Sequence, residues 1–352
     1  MKEVTELLSR LIKTPSISGS EDKTAALLAD FLVEKTGIPV ERIGNNIIAH
    51  KEPHRTGRPT VLLCSHHDTV KPAAGYSRDP YQPVIEKDPG GNLRLYGLGS
   101  NDAGASLVAM TEAFCSLKDL PYNLMLILAA GEENSDPAGI ASVLPHYPEI
   151  TCAIVGEPTG LQAAVAERGL LVLDGYVQGR SGHAARNDGI NALYGALDDI
   201  AALRDYSFAE NSAIMGKIHL QVTQIQAGTQ RNVIPGECRY VVDIRTTDAC
   251  SNEQIMEKLR GVVSGKLVPR NLANKASVTP EGHPLREAVK KAGISTFVSP
   301  TTSDWMRLPC PAVKLGPGDS ARSHTPDEFI YLSELQQGIE VYKKVLTHLT
   351  QL

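Results

Sequence analysis

The chain has 352 residues, 42% hydrophobic and 21% charged, with a formal net charge of -5. That length exceeds one ordinary domain of roughly 100–200 residues, so two domains with a sizeable core are expected, and no biased tract suggests disorder or fibre. Lys and Arg are scattered without a basic block, which excludes an electrostatic footprint for nucleic acid or an anionic membrane and leaves a small molecule as the expected partner.

The opening residues place Val4, Leu7, Leu8, Leu11 and Ile12 at helical spacing and form no uninterrupted signal core. The apolar run "LMLILAA" falls far short of the ~18 residues a membrane helix needs. The six cysteines, at 64, 115, 152, 238, 250 and 310, contain no Cys-x-x-Cys pair and read as reduced core thiols, so a cytoplasmic protein is expected.

Further along, "SGSEDKTAALLADFLVEKTG" predicts an amphipathic helix opened by a capping box from Ser18 to Glu21 and closed at Gly37. The buried strand "TVLLCSHHD" follows, then the helix "DAGASLVAMTEAFCSL", the strand "NLMLILAAGEE", a short helix near 137–144 and the strand "CAIVGEP". Alternating helices and strands imply an α/β domain with a largely parallel sheet covered on both faces. Each of the three strands ends in acidic or imidazole side chains, where open α/β sheets hold their ligands. From 164 to 280 the order becomes strand (164–178), helix (189–203), strands (217–226 and 237–246), helix (252–265) and strand (274–280), a ferredoxin-like α+β unit. Afterwards "PAVKLGPG" reads as a strand. The closing helix "SELQQGIEVYKKVLTHL" has an apolar face of Leu335, Ile339, Tyr342, Leu346 and Leu349 and a capping pattern from Ser333 to Gln336. The expected division is a catalytic domain of 1–163 and 281–352 interrupted by an inserted domain of 164–280.

In "SHHDTV" strand alternation puts His66 and Asp68 on one face and His67 on the other. His66 is the candidate ligand, with Asp68 receiving its second ring proton or holding it indirectly; a polar strand end is the alternative. Asp102 opens a helix after a glycine-rich turn, as a ligand or as a plain N-cap. The glycines around it do not continue into a phosphate-binding pattern. Glu132 and Glu133 follow a buried strand, a costly place for adjacent carboxylates without a cation. Glu157 repeats the device one strand later, and His324 lies in a loop near the end. His66, Asp102, Glu133, Glu157 and His324 are two imidazoles and three carboxylates, a set suited to Zn²⁺ or a similar divalent ion. Five ligands are too many for one open catalytic ion, whereas two ions sharing one carboxylate and a water fit the count. Glu132 is then left as the general base of an amide hydrolase.

The motifs "SHHDTV", "GLGSNDAG", "AAGEENSD", "VGEPT", "GRSGHAARND", "NVIPGECRYVVDIR" and "SHTPDEF" together resemble the M20 family of co-catalytic zinc deacylases and exopeptidases, in the family's order from 65 to 329. The resemblance implies a zinc-exopeptidase-like catalytic domain with the inserted domain as a dimerisation lid. It implies two divalent ions, Zn²⁺ with Co²⁺ as a substitute: Asp102 bridges them, His66 and Glu157 hold one, Glu133 and His324 the other. Glu132 is the implied base, Asp68 supports His66, and His183 reaches a partner subunit's site to stabilise the oxyanion. Arg168, Asn232, Arg245 and Thr302 match positions that contact substrate in relatives; their plain alternatives are a hinge cation, a turn residue, a strand-surface cation and a helix cap.

Within the family, "GLGSNDAGAS" and the short chain are most similar to the acetylornithine deacetylase-type branch. This chain departs from many of those relatives at Leu98 and at Ala103, Gly104 and Ala105. The implied substrate is an N2-acyl-L-amino acid, N2-acetyl-L-ornithine first. Succinyl and citrulline analogues, succinyl-diaminopimelate and dipeptides are the alternatives.

Overall fold

The computed structural model describes residues 1–186 and 188–352; Asn187, inside the quoted "GRSGHAARND" motif, lies outside the described residues. Two compact units are present: the first comprises Met1–Val165, Thr279–Phe297 and Ser303–Leu352, the second Ala166–Val278 and Val298–Thr302.

The first unit is built on a mixed sheet in which Asn123–Ala129, Thr60–His66, Ile150–Gly156 and Ala312–Lys314 lie side by side and parallel. Asn46–His50 extends it antiparallel beyond Asn123–Ala129, and Val40–Ile43 pairs with that strand in turn. The strands Thr60–His66 and Asn123–Ala129 are buried along their whole length, as expected of inner parallel strands covered on both faces. Side chains such as Leu62 and Leu63, fully buried, each contribute about 1.5–3 kcal/mol of apolar burial. Because the strands are parallel, their carboxyl ends gather on one edge, and His66, Gly131–Glu133 and Glu157 arrive there together.

Three local expectations are corrected. The helix Asp22–Thr36 starts at Glu21 without a side-chain cap, because the Ser18 hydroxyl donates instead to Asp68, a charged and stronger acceptor. The short helix expected near 137–144 starts later, at Ile140, and after Val143 it tightens into a 3-10 turn at Leu144–His146, where Pro145 enters. The last helix is Leu332–His348, and Glu334, not the Ser333 to Gln336 pair, closes its start by accepting from the Tyr331 N–H at 3.1 Å. A small antiparallel sheet of Val84–Lys87, Leu93–Tyr96 and Phe329–Tyr331 was not expected, and it brings the Asp102 turn beside the chain that follows His324.

The second unit has the strand order His219–Ala227, Glu237–Thr246, Gly169–Gln178, Lys266–Pro269, which is the ferredoxin-like arrangement. Leu171, Leu173, Val177, Tyr240, Val242 and Ile244 share one sheet face and pack with the helices Ala192–Asp205 and Asn252–Arg260. Its closing strand differs from expectation: Lys266–Pro269 pairs with Leu173–Tyr176, so that Leu267 fills the core, while Ser277–Val278 pairs with Ala166–Glu167. The expected strand 164–178 is broken at Arg168 into Ala163–Glu167 and Gly169–Gln178. Among the described residues no helix is long and apolar enough to cross a membrane.

Candidate metal centre

His66 ends its strand with Nδ1 donating to the main-chain oxygen of Asp68 at 3.0 Å. That bond fixes the ring and leaves Nε2 facing Asp102 Oδ1 at 3.4 Å, Glu157 Oε1 at 3.8 Å and Glu132 Oε2 at 3.9 Å. His67 points the other way: Nε2 donates to the Asn45 carbonyl at 3.0 Å, Nδ1 sits 2.9 Å from the Thr24 hydroxyl, and burial pushes its pKa down. It is a core histidine.

The Asp68 carboxylate stands 3.5 Å from His66 Nδ1, too long for a good hydrogen bond, so the carbonyl of the same residue takes the ring proton. Its oxygens accept instead from Ser18 Oγ at 2.7 Å and from the main-chain N–H groups of Glu132 and Glu133 at 3.0 and 3.1 Å. Burial raises the Asp68 pKa, but His66 and these donors outweigh it and hold it at about 2. Asp68 therefore ties one strand end to the next.

Asp102 is not a helix cap. Its backbone is extended (φ -116, ψ 103), and the regular helix begins at Ala105. The preceding turn needs glycine: Gly99 has φ 74, and a side chain there would lie 2.7 Å from Thr69 Cγ2. This turn aims Asp102 Oδ1 at His66 (3.4 Å) and Oδ2 at His324 (3.8 Å), so its two oxygens face two imidazoles. His324, in the left-handed region at φ 59, places Nε2 3.0 Å from Glu133 Oε2. A non-glycine residue held there stores of the order of 1–3 kcal/mol, which fits a residue whose ring must reach one point.

Electrostatically the cluster is short of positive charge. Burial lifts Glu157 to about 8, with Asp102 adding repulsion against the relief from His66 and Lys314. Burial also raises Glu132 well above the carboxylate range; His66 opposes that rise, while Glu157, Asp304 and Glu133 add to it. For His66, burial opposes the charge, yet the Asp102 and Asp68 carboxylates win and raise it well above normal. The Glu133 hydrogen bond lifts His324 to about 9 against its burial.

Ligand atoms of His66, Asp102 and Glu133, and again of His66, Glu132 and Glu157, all lie within 4.8 Å of one another. Tetrahedral donors around an ion with bonds of about 2.0–2.1 Å stand roughly 3.3 Å apart. The separations at His66–Asp102 and His324–Glu133 match that spacing, so the residues present fit divalent ions. Sequence reasoning missed Ser18, Asp304 and Glu328. Asp304 is buried and raises Glu132, and Glu328 accepts from the main chain at Asp102; only contacts far apart in the chain reveal either.

The second unit holds the remaining candidates. His183 is exposed; its ring Nδ1 accepts from the Ala185 N–H at 3.1 Å, and the Ala184 N–H donates to the Asn232 carbonyl at 3.0 Å, so His183 and Asn232 are neighbours. Arg168 is buried, and its guanidinium donates to the carbonyls of Lys217 (2.8 Å) and Met215 (2.5 Å). Arg245 forms a two-pronged pair with Asp243 at 2.8 and 3.2 Å. Thr302 is half-buried, and the cap expected of it belongs to Ser303, whose hydroxyl accepts from Trp305 N–H.

The model of peptidase family M20/M25/M40 matches residues 62–348. Among solved structures, the M20 family metallo-carboxypeptidase Sso-CP2 of Sulfolobus solfataricus is 18% identical, with 100% of both chains covered and a TM-score of 0.81. Aminopeptidase PepT of Bacillus cereus is 17% identical, with 99% of each chain covered and a TM-score of 0.78. The YXEP protein of Bacillus subtilis, described as a dinuclear metal-binding peptidase of the M20 family, is 15% identical over 99% of this chain and 98% of its own, with a TM-score of 0.74. These likenesses show the expected fold class, a mixed and largely parallel sheet with helices, of the zinc-exopeptidase type.

Proposed function

Since the chain belongs to peptidase family M20/M25/M40 and is a metal-dependent hydrolase, we propose that it cleaves the amide of an N2-acyl-L-amino acid at a two-metal centre, N2-acetyl-L-ornithine giving L-ornithine and acetate. The observation that carries the chemistry is the placement of the Asp102 oxygens between His66 and His324. Asp102 would bridge the ions, with His66 and Glu157 on one and Glu133 and His324 on the other. Zn²⁺ suits this nitrogen and oxygen set, and Co²⁺ would substitute. When bound, the ions supply a polarised acyl carbonyl and a water acidified to near ~7.

The chain's own residues do the rest. Asp68 holds His66 and the Glu132–Glu133 turn in place. Glu132 takes a proton from the attacking water as its oxygen bonds to the acyl carbon, then gives that proton to the nitrogen as the C–N bond breaks. A carboxyl raised by burial is suited to holding a proton between those steps. His183, exposed on the second unit, would donate to the oxyanion in the site of a second copy.

For the substrate carboxylate the two arginines differ. Arg245 would exchange a half-buried pair with Asp243 for a new carboxylate, whereas Arg168 would abandon two carbonyls that it satisfies. Arg245, with Asn232 and Thr302 beside it in the proposal, is thus the better carboxylate clamp, and Arg168 serves chiefly to shape the second unit.

Amine release measured in parallel from N2-acetyl-L-ornithine, N2-succinyl-L-ornithine, N2-acetyl-L-citrulline, N-succinyl-diaminopimelate and simple dipeptides tests the reading. Selective turnover of an ornithine or citrulline derivative is expected. The three solved relatives described above are peptidases, which favours peptides as the second reading, and cleavage of dipeptides alone would replace the acyl-ornithine assignment.

A homodimer through the second unit is also proposed, supported by the exposed Ile190, Tyr194, Leu197, Ile225 and Val233 there. Sedimentation equilibrium should give twice the 37.9 kDa chain mass, and Leu197→Asp should shift it toward monomer; a monomeric parent would refute the dimer. All six cysteines are free thiols, which suits the reducing cytoplasm.

A further inference from the structure

The motif "SHTPDEF" carries a second acid besides its histidine. Glu328 is 2% exposed, yet no Lys or Arg is paired with it among the described residues. Its carboxylate is engaged by the main chain: Oε2 accepts from the Gly99 N–H at 3.0 Å, and Oε1 accepts from Asn101 at 2.8 Å and Asp102 at 2.9 Å. Its own carbonyl accepts from Gly97 N–H at 3.0 Å. Directly afterwards Phe329 pairs with Tyr96, the last residue of the strand that leads into this turn. The Asn101 side chain completes the attachment through Asp319, with bonds of 3.0 and 3.1 Å.

These donors are not the free amides of a helix start. The helix begins at Ala105, so the N–H groups that Glu328 collects lie upstream, in the irregular segment whose backbone aims Asp102. A carboxylate is the side chain that serves here, because it offers acceptors only and all three neighbours are donors. An amide in its place would turn an NH₂ group toward at least one N–H.

From this we infer that Glu328 is a positioning residue of the metal centre: it clamps the peptide carrying Asp102 to the chain segment carrying His324, and so sets the separation of the bridging carboxylate from that imidazole. The inference rests on the reading of Asp102 as the bridging ligand. Groups that orient ligands from behind typically influence metal affinity by about 10–100-fold. Because Asp102 serves both ions, both should weaken together.

The test is metal affinity measured by chelator competition with Zn²⁺, together with the visible absorption of the Co²⁺-loaded protein. Four variants are compared with the parent: Glu328→Gln, Glu328→Asp, Asp102→Ala, and Ile330→Val as a neighbouring core change. Expected for Glu328→Gln is a loss of about 10–100-fold in affinity for both equivalents and an altered Co²⁺ spectrum. Glu328→Asp, which keeps two acceptor oxygens but retracts them, should lose more than about twofold but less than the Gln variant, and reports on the clamp if the Gln variant does not fold. Ile330→Val should lower the melting temperature without moving the affinity. Affinity within about twofold of the parent in a folded Glu328 variant, or an equal loss in Ile330→Val, overturns the inference. If Asp102→Ala itself kept both metals, the bridging reading would fail first, and the clamp with it.

Discussion

Replacing Glu132 with Gln is expected to leave metal content unchanged and to lower turnover by about 10²–10⁴-fold. Gln has nearly the same size, and the main-chain N–H that binds Asp68 is untouched, so the turn should stay in place. What disappears is the ability to take and return a proton. Turnover and kcat/KM should therefore fall together while KM changes little, the pattern of an interaction that matters only in the transition state. The measurement is steady-state kinetics alongside metal analysis of the same sample. Distance alone leaves a competitor, since Glu132 stands 3.9 Å from His66 Nε2 and Glu157 stands 3.8 Å. Loss of a metal equivalent in the variant would move Glu132 into the ligand set, and turnover within about tenfold of the parent would remove it from proton transfer.

Stripping the metals with a chelator should abolish hydrolysis, restore it on adding Zn²⁺ or Co²⁺, and lower the melting temperature. Asp102, Glu132, Glu133 and Glu157 converge on one strand-end edge, and without metal ions His66 and Lys314 offset their repulsion only in part, so that burial and the neighbouring carboxylates still raise Glu132 and Glu157. Free metal at a hundredfold over its dissociation constant stabilises a single site by about 2.7 kcal/mol, so two sites should give a shift of many degrees. The gap should also depend on pH in a defined direction. In the metal-free protein Glu157 titrates at about 8 against 4.5 for an ordinary glutamate. Between those values the folded state binds more protons than the unfolded state, so metal-free stability falls as pH rises from 4.5 toward about 8. Metal binding needs the deprotonated ligands and cancels this loss, so the difference in melting temperature between loaded and stripped protein should widen across that window. Equal melting temperatures at every pH would contradict a metal site at these carboxylates.

Several features were legible in the sequence because they depend on local rules. Strand alternation separated His66 from His67, and the structure places one toward the carboxylates and the other against Thr24 and Asn45. Acidic residues directly after buried apolar strands marked where the sheet's carboxyl edge would be. The ferredoxin-like order of the second unit followed from the succession of patterns, although its last strand did not: Lys266–Pro269 is only four residues long, and it is recognised by its pairing with Leu173–Tyr176 and by Leu267 in the core. Ser18 shows the opposite failure, a correct capping pattern overridden by a charged acceptor fifty residues away in the chain.

By itself the sequence determined which residue types reach the sheet edge and in what order, since side-chain periodicity and the parallel arrangement of apolar strands are properties of short segments. The tertiary structure alone decided how those residues face one another. Asp102 turns one oxygen to His66 and the other to His324, Asp68 accepts from the Glu132 and Glu133 amides at the next strand end, and Glu328 holds the Asp102 peptide. These are contacts between segments up to 226 residues apart in the chain, and no local periodicity encodes such a distance.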